Sequence, residues 1–376
     1  MAYNCAIDVD GSPAGDLAAQ ALVLVTEEIG RDTQWELQLD IVPRDGDFPQ
    51  LTDPRLTPPA EIAVFAKTPP LGLDCLCIGP VEGQSIRLLN GAEGSSLTVY
   101  GRSAEARLDQ SESITVHEGL TSTDGTIVMG ILARYTMVPD VDPTLMARPP
   151  LGHPIVQRGS DLQLIRHLAR RNGVEFWLSH MATPVGPVVT TGHFKKIAPT
   201  MMPVLPELRL NAGRDLMGAQ KANIAALDIR FDSVAPTKVS ADSIDIGTGS
   251  GISGTTELPT LDALGTTPFH QIGDTPREMR LTGAGDGAGD LQGMAEGVLA
   301  EAQFFLRAEC EVSVHDLGTI LHAHDTVKVS GAGSRHSGRY IVERVEHRFD
   351  DAGHTMKLGL MRNAWGEESA SPIPGI

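Results

Sequence analysis

The chain has 376 residues, 41% hydrophobic but only 4% aromatic, with 40 Gly and 25 Pro. That length points to two or three domains with a sizeable core, and the turn-rich composition points to many short strands. A formal net charge of -18 lacks the Lys/Arg surplus that phosphate binding requires, which argues against nucleic acid as a simple surface ligand, a local basic patch aside, and disfavours anionic membranes.

The first stretch reads as strands. Tyr3 to Val9 is an apolar run closed by Asp10-Gly11, a turn signal. Trp35 to Ile41 alternates, with Trp35, Leu37, Leu39 and Ile41 on one face and Glu36, Gln38 and Asp40 on the other. Pro43 to Pro59 reads as a loop. Glu61 to Ala66, Leu73 to Ile78, Ser85 to Leu89 and Leu97 to Val99 add strands, spaced as in a barrel or sandwich. Cys75 and Cys77 fall within one of these strands, where they are expected to share a face as buried thiols. With Cys5 and Cys310 they make four cysteines, too few for a disulfide framework and without a second pair at zinc spacing.

The period then changes. Ile127, Val128, Ile131, Leu132 and Tyr135 form a helical stripe within Thr121 to Tyr135, with Asp124 as the expected cap. Asp161 to Arg171 is the clearest helix. Ser160 is its N-cap with Gln163 three residues on, Leu162, Leu164, Ile165 and Leu168 are its apolar face, and Asn172-Gly173 is its stop. A strand, Val174 to Leu178, follows. Glu207 to Leu210 and Ala225 to Phe231 read as short strands. Residues 232–290 are rich in Gly, Ser, Thr and Pro and read as a mobile insertion rather than a core, with Gly283 to Gly287 as a hinge. Leu291 to Arg307 reads as a third helix. Cys310 to Val314, Thr326 to Val329, Arg339 to Arg344 and Met356 to Leu360 read as the strands of a second small barrel.

The expected fold is therefore mainly β with α/β insertions: two small β-barrels joined by an α/β domain. The expected domains are 1–110 (first barrel), 111–204 (α/β), 205–365 (second barrel, with an irregular insertion at about 233–290) and 366–376 (flexible tail). No basic-then-apolar leader opens the chain, and no apolar run reaches the roughly 18–20 residues of a membrane span. The protein is expected to be made and assembled in the cytoplasm.

Motifs for chemistry are sparse. Six histidines fall late: His315, His322, His324, His336, His347 and His354. His322-Ala-His324-Asp325 invites a metal reading, but the hydrolase pattern His-x-His-x-Asp-His places its carboxylate one residue later and adds a third His. A polar loop entering a strand fits better. Asp8-Val-Asp10-Gly11 opens like a calcium loop but lacks the later ligands. No nucleophile elbow, Walker loop or dinucleotide glycine pattern occurs; Ser250 and Ser253 lack the right flanks. His347 and Arg348 read as strand residues facing a neighbour, Phe176 and Trp177 as core or subunit contacts, and Met201-Met202 as a loop feature. No catalytic, cofactor-binding or metal-ligating residue is assigned, and no cofactor is expected.

Three segments together resemble a known family. They are Ser96-Leu-Thr-Val-Tyr-Gly-Arg-Ser-Ala-Glu-Ala-Arg-Leu108; Gly159 to Trp177, a capped helix leading into an aromatic strand; and Gly338-Arg-Tyr-Ile-Val-Glu-Arg-Val-Glu-His-Arg-Phe349, followed by Met361-Arg-Asn363. In this order they resemble the phage late control protein D family, the hubs of contractile tails, related to the N-terminal half of the type VI secretion spike. The resemblance spans roughly residues 60 to 365 and leaves 233–290 unaligned. It implies tail-tube-like barrels and a non-enzymatic baseplate hub that forms a homotrimer. Two barrels per copy would then make a pseudo-sixfold ring, adapting a sixfold tail tube to a threefold spike. It further implies as partners a tail tube or tube-initiator protein, a separate spike protein and baseplate proteins, with no sequence-specific nucleic acid and no membrane span. The particle would be a phage tail or injection machine. The competing readings are a metal-assisted hydrolase of cell-wall or glycan material using the late histidines, and a carbohydrate-binding β protein, which the few aromatics oppose.

Overall fold

A computed structural model describes residues 5–366, apart from 69–71, 91–93, 145, 149–153, 184–185, 200–203, 214–220, 233, 245–247, 258–260, 273–276 and 284–286. Met201-Met202, the centre of the Gly283–Gly287 stretch and nearly all of the expected tail lie outside the described residues.

The architecture is mainly β with α/β elements. A ten-stranded sheet is built from both ends of the chain. Its hydrogen-bonded path runs Asp228–Phe231, Leu306–Ser313, Gly353–Arg362, Gly338–Asp350, Ala21–Glu28, Gln34–Asp40, Ser96–Arg102 and Gly83–Arg87. Thr326–Ser330 pairs with Gly338–Asp350 and carries Glu207–Arg209 in parallel beside it. The stretches expected to form separate barrels thus share one continuous sheet. The strand that joins them, Ala21–Glu28, is absent from the sequence reading, because its Ala21-Leu-Val-Leu-Val25 run lacks apolar–polar alternation. It pairs on both sides and alternates in burial, with Val23, Val25 and Glu27 inward. A seven-stranded sheet takes Cys5–Val9, Ser12–Pro13, Glu61–Thr68 and Gly72–Pro80 from the N-terminal part and Glu175–Met181, Val189–Lys195 and Val138–Val141 from the middle. One large core joins the two sheets, with Ile7, Ile62 and Val64 packed in a cluster with Trp35, Leu37, Val99, Val342 and Leu358.

A β-bulge overturns the expectation for Cys75 and Cys77. The register shifts between Val64 and Phe65, so Cys77 sits opposite Val64 and Cys75 opposite Phe65. Adjacent strand residues face opposite sides. Cys77 therefore enters the large core while Cys75 packs with Ala63 and Phe65 on the other face. All four cysteines are free and buried. Burial pushes the Cys75 and Cys310 thiols up to about 12, leaving both protonated at neutral pH.

The α/β part follows the periodicity. Helix Asp124–Arg134 is capped by Thr123 rather than Asp124, whose carboxylate instead accepts a hydrogen bond from Asn172 Nδ2 at 2.8 Å. Helix Asp161–Asn172 is capped by Ser160, whose hydroxyl accepts from the Gln163 N–H at 3.2 Å, and ends on Gly173 in the left-handed region. The apolar faces of both helices pack with Phe176, Leu178 and Phe194 of the seven-stranded sheet.

The described part of the glycine-rich stretch carries regular structure. Lys238–Ile244, Gly251–Thr256 and Glu278–Thr282 form a three-stranded sheet, with Val239 and Ala241 buried against Leu291, Ala295 and Leu299 of helix Ala288–Ala302. Composition misleads here because the glycines serve close packing: a Cβ on Gly254 would lie 2.5 Å from the Gln292 backbone nitrogen. That helix also ends earlier than its apolar spacing predicts. Phe304 and Phe305 leave it for two separate clusters, and a strand begins at Leu306. The closing Arg362-Asn363 pair is internal. Arg362 is fully buried and donates to the carbonyls of Ser337 (2.9 Å), Leu264 (3.0 Å) and Gly366. Asn363 accepts from the Leu264 N–H at 2.8 Å and donates to the Asp262 carbonyl at 3.0 Å.

Helix Asp161–Asn172 meets helix Ala288–Ala302 through Gly173, Gly293 and Gly297. Gly173 has φ +62°, and a Cβ there would lie 2.8 Å from the Gly293 carbonyl oxygen. The buried Arg171–Asp290 ion pair, at 2.7 Å, ties the same helices. Gly173→Ala is expected to destabilise the protein by roughly 1–3 kcal/mol through left-handed strain alone, more if the helices separate. Urea unfolding of the two proteins checks this, and unchanged stability would contradict the close approach.

Candidate histidine–carboxylate site

The central strands of the ten-stranded sheet carry polar residues on their inner face. Along Ala21–Glu28 the inward series is Val23, Val25, Glu27. On the neighbouring strand it is Val345, His347, Phe349, with His347 opposite Val25 and Val345 opposite Glu27. On the third strand it is His354, Met356, Leu358, with Met356 opposite His347 and His354 opposite Phe349. The pleat thus sets Glu27, His347 and His354 into an otherwise apolar layer.

A loop completes the group. His322 and Asp325 lead into Thr326–Ser330, and the turn is closed by the His322 N–H donating to Asp325 Oδ2 at 2.8 Å. His324 adopts φ +76° there, and its N–H donates to the Val342 carbonyl at 2.9 Å. His322 Nδ1 lies 2.9 Å from Glu27 Oε1, and His322 Nε2 lies 3.1 Å from Asp74 Oδ2. The other Glu27 oxygen accepts from the Ala323 N–H at 3.0 Å. A ring whose two nitrogens both meet carboxylates holds two protons. Burial opposes the charged ring, but Glu27 and Asp74 together raise the His322 pKa well above its usual value.

His347 is fully buried. Its Nδ1 is 3.1 Å from His354 Nε2, and its Nε2, 3.8 Å from Glu27 Oε1, has no hydrogen-bond partner among the described residues. Burial, with His354 and His322 nearby, pushes the His347 pKa well below normal, and burial lowers His354 to about 4. Glu27, His322 and His347 each present one ligand atom, and these lie within 4.8 Å of one another.

His180 flanks the group from the seven-stranded sheet, with Nε2 2.7 Å from Ser103 Oγ and Nδ1 3.1 Å from Thr190 Oγ1. The adjacent His324 points away to stack on Trp177, with ring centroids 3.8 Å apart. Trp177 stacks on His193 as well, at 4.7 Å, and His193 Nδ1 is held 2.8 Å from Asp140 Oδ2. Trp177 thus joins the α/β sheet to the His322–Asp325 loop, while its neighbour Phe176 is buried core.

Of the six late histidines, the structure brings His322, His347 and His354 together. His324 goes to the Trp177 stack, and His315 lies on the surface. His347 faces the interior, whereas its neighbour Arg348 is exposed and pairs with Asp350. Sequence reasoning missed Glu27, which is 295 residues from His322. The available signal was local: Glu27 continues the Val23/Val25 face, and His347 sits between Val345 and Phe349.

No family model matches the chain, and no curated protein matches it. Solved structures do. The 43 kDa tail protein of prophage MuSo2 from Shewanella oneidensis shares 14% identity over 96% of this chain and 98% of its own, with a TM-score of 0.63. The tail protein from Neisseria meningitidis MC58 shares 16% over 98% of this chain and 100% of its own, also at 0.63. The E. coli c3393 protein, described as a type VI secretion component structurally similar to T4 tail proteins gp27 and gp5, shares 11% over 98% of this chain and 80% of its own, at 0.53. At such identities the likeness is one of fold. The fold is that of phage tail proteins and of a type VI secretion component, as the three sequence segments implied.

The buried histidines make stability pH-dependent. Burial lowers His180 and His324 to about 3 and His354 to about 4, so the native state leaves them neutral while the unfolded chain protonates them near the ordinary value of about 6.5. Their contribution is present above that value and is lost as pH falls from it. His322, with its raised pKa, acts oppositely and loses its contribution as pH rises through its folded value. Buried Glu105 and partly buried Glu175, raised to about 8 and about 7, also oppose the fall. The lowered histidines, His180, His324, His347 and His354, outnumber these three groups, so the melting temperature should fall between pH 7 and pH 5. His180→Gln should shrink that fall. An unchanged melting temperature over this range would contradict the neutral buried rings.

Proposed function

We propose that this protein is a non-enzymatic structural hub of a phage-tail or contractile-injection baseplate. In this reading, three copies close into a ring that adapts a sixfold tail tube to a threefold spike. The observation that carries the proposal is the end-to-end likeness to two tail proteins, over 96–98% of this chain and 98–100% of theirs. A fold alone does not fix a function, but here the whole chain, not one module, is accounted for by tail components. The partners this implies are further copies of itself, a tube or tube-initiator protein, a spike protein and other baseplate proteins. The particle, assembled in the cytoplasm, would carry the protein in its tail. No helix among the described residues is long and apolar enough to cross a membrane.

The proposed domains remain two barrel-like parts around an α/β part, welded through the shared sheet. An exposed ribbon suits contact between copies. Glu112–His117 pairs with Ile155–Ser160 outside the main sheets, and its outer face carries Ile114, Val116 and Val156, with Ile114 86% exposed. Apolar side chains grouped on an exposed strand face mark an association surface. The hydrolase reading asks the late histidines to form one open site. Only His322, His347 and His354 gather, with His347 and His354 buried, while His324 stacks on Trp177 and His315 lies on the surface, so the set as a whole does not form one open site.

Light scattering at several concentrations tests the ring. A mass near three times 40.0 kDa is expected. Ile114→Asp should shift it toward a single chain while leaving the melting profile of the monomer intact. A mass of one chain at every concentration, also when mixed with tube and spike proteins from the same source, would remove the ring.

A further inference from the structure

We infer that Glu27, His322 and His347 form a binding site for one divalent ion of the zinc class, set across the seam between the two ends of the chain. The ligand atoms are Glu27 Oε1, His322 Nδ1 and His347 Nε2; the ion replaces the proton that His322 Nδ1 otherwise gives to Glu27, so binding releases that proton to solvent. Two imidazoles and one carboxylate are a donor set that suits zinc and its neighbours rather than calcium or magnesium.

The spacing fits. Metal–ligand bonds of about 2.0–2.1 Å at tetrahedral angles set ligand atoms about 3.3 Å apart. The two distances from Glu27 Oε1, 2.9 Å to His322 and 3.8 Å to His347, bracket that value. The third distance, between His322 Nδ1 and His347 Nε2, lies within 4.8 Å, so an ion would draw the two rings toward each other.

The surroundings are those of a built site. Metal-bound histidines usually engage their second nitrogen with a carboxylate, carbonyl or other acceptor, which fixes the ring. His322 turns its other nitrogen to Asp74 at 3.1 Å, and His347 turns its own to His354 at 3.1 Å. The remaining Glu27 oxygen is fixed by the Ala323 N–H. The fully buried His347 Nε2 points at the group with no hydrogen-bond partner among the described residues, which is costly for a polar atom so placed. An ion would satisfy it. His322 is 33% exposed, so the group meets solvent on its side, from which a water can supply a fourth ligand. The site stands apart from the assembly role: a chain that fails to form a ring can still bind the ion, and the reverse.

The test is equilibrium dialysis of the chelator-treated full chain against Zn2+, with Co2+ as a spectroscopic probe. One ion per chain is expected, along with the visible absorption of four-coordinate Co2+ and a melting temperature that rises with Zn2+. His322→Gln, at a partly exposed position, should abolish this binding while the metal-free protein still melts cooperatively. Glu27→Gln should do the same. Asp74→Asn should weaken binding about 10–100-fold by loosening the His322 ring. His315→Gln, at the exposed surface histidine, should leave it unchanged. Substoichiometric binding, or binding that survives His322→Gln in a folded protein, would overturn the site.

Discussion

The fold depends on one strand pairing. Ala21–Glu28 lies antiparallel to Gly338–Asp350, from Arg344 opposite Glu28 to Phe349 opposite Val23. No other hydrogen-bonded ladder among the described residues joins the N-terminal strands of the ten-stranded sheet to its C-terminal ones. The common core then becomes possible. Trp35, Leu37 and Val99 pack in the same cluster as Val342, Leu358 and Leu360 because the ladder sets them on one face. Closing a contact across more than 300 residues is costly in chain entropy, so local hairpins such as Gly338–Asp350 with Gly353–Arg362 must supply preformed edges for it.

The sequence made local elements legible and this pairing illegible. Ser160 and Gly173 bracket a helix by chemistry that needs no distant partner, and Trp35, Leu37 and Leu39 alternate because one face is buried. Ala21 to Val25 shows no such pattern, although its inner face is as regular as that of Gln34–Asp40. Its outer positions, Leu22 and Leu24, are apolar too and only partly covered. The bulge that separates Cys75 from Cys77 also leaves no local mark, since it is defined by the register against Glu61–Thr68. The candidate site was invisible for the same reason. His322 and His324 invited a shared site by proximity in sequence, yet the left-handed turn at His324 sends their rings to different neighbours.

Glycine misled the reading in the opposite direction. A run poor in large side chains reads as unable to bury a core. Around residues 238–302 small residues are instead what lets backbones approach. Gly254 meets helix Ala288–Ala302 on one side, and Gly173 meets Gly297 on another, where a Cβ on Gly297 would fall 2.5 Å from the Gly173 Cα. Close approach substitutes for side-chain bulk, and the buried Arg171–Asp290 pair fixes the orientation that bare backbones leave loose.

The polar group at the seam fits the same logic of specification. Because side chains alternate, a one-residue slip between Ala21–Glu28 and Gly338–Asp350 would exchange inner and outer faces. Glu346 and Arg348 would enter the core, and His347 would leave it. An apolar ladder of Val and Phe would resist such a slip only through packing volume. Glu27 and His322 resist it through charge, since Glu27 buried without His322 carries an uncompensated ion. His322 comes from the loop before Thr326–Ser330 and also reaches Asp74 of the seven-stranded sheet, so one imidazole checks the registry of three separately formed pieces. The residues that make the seam able to hold an ion are therefore the ones that make its pairing unique, and the metal-free clamp accounts for their place in the core before any ion is bound.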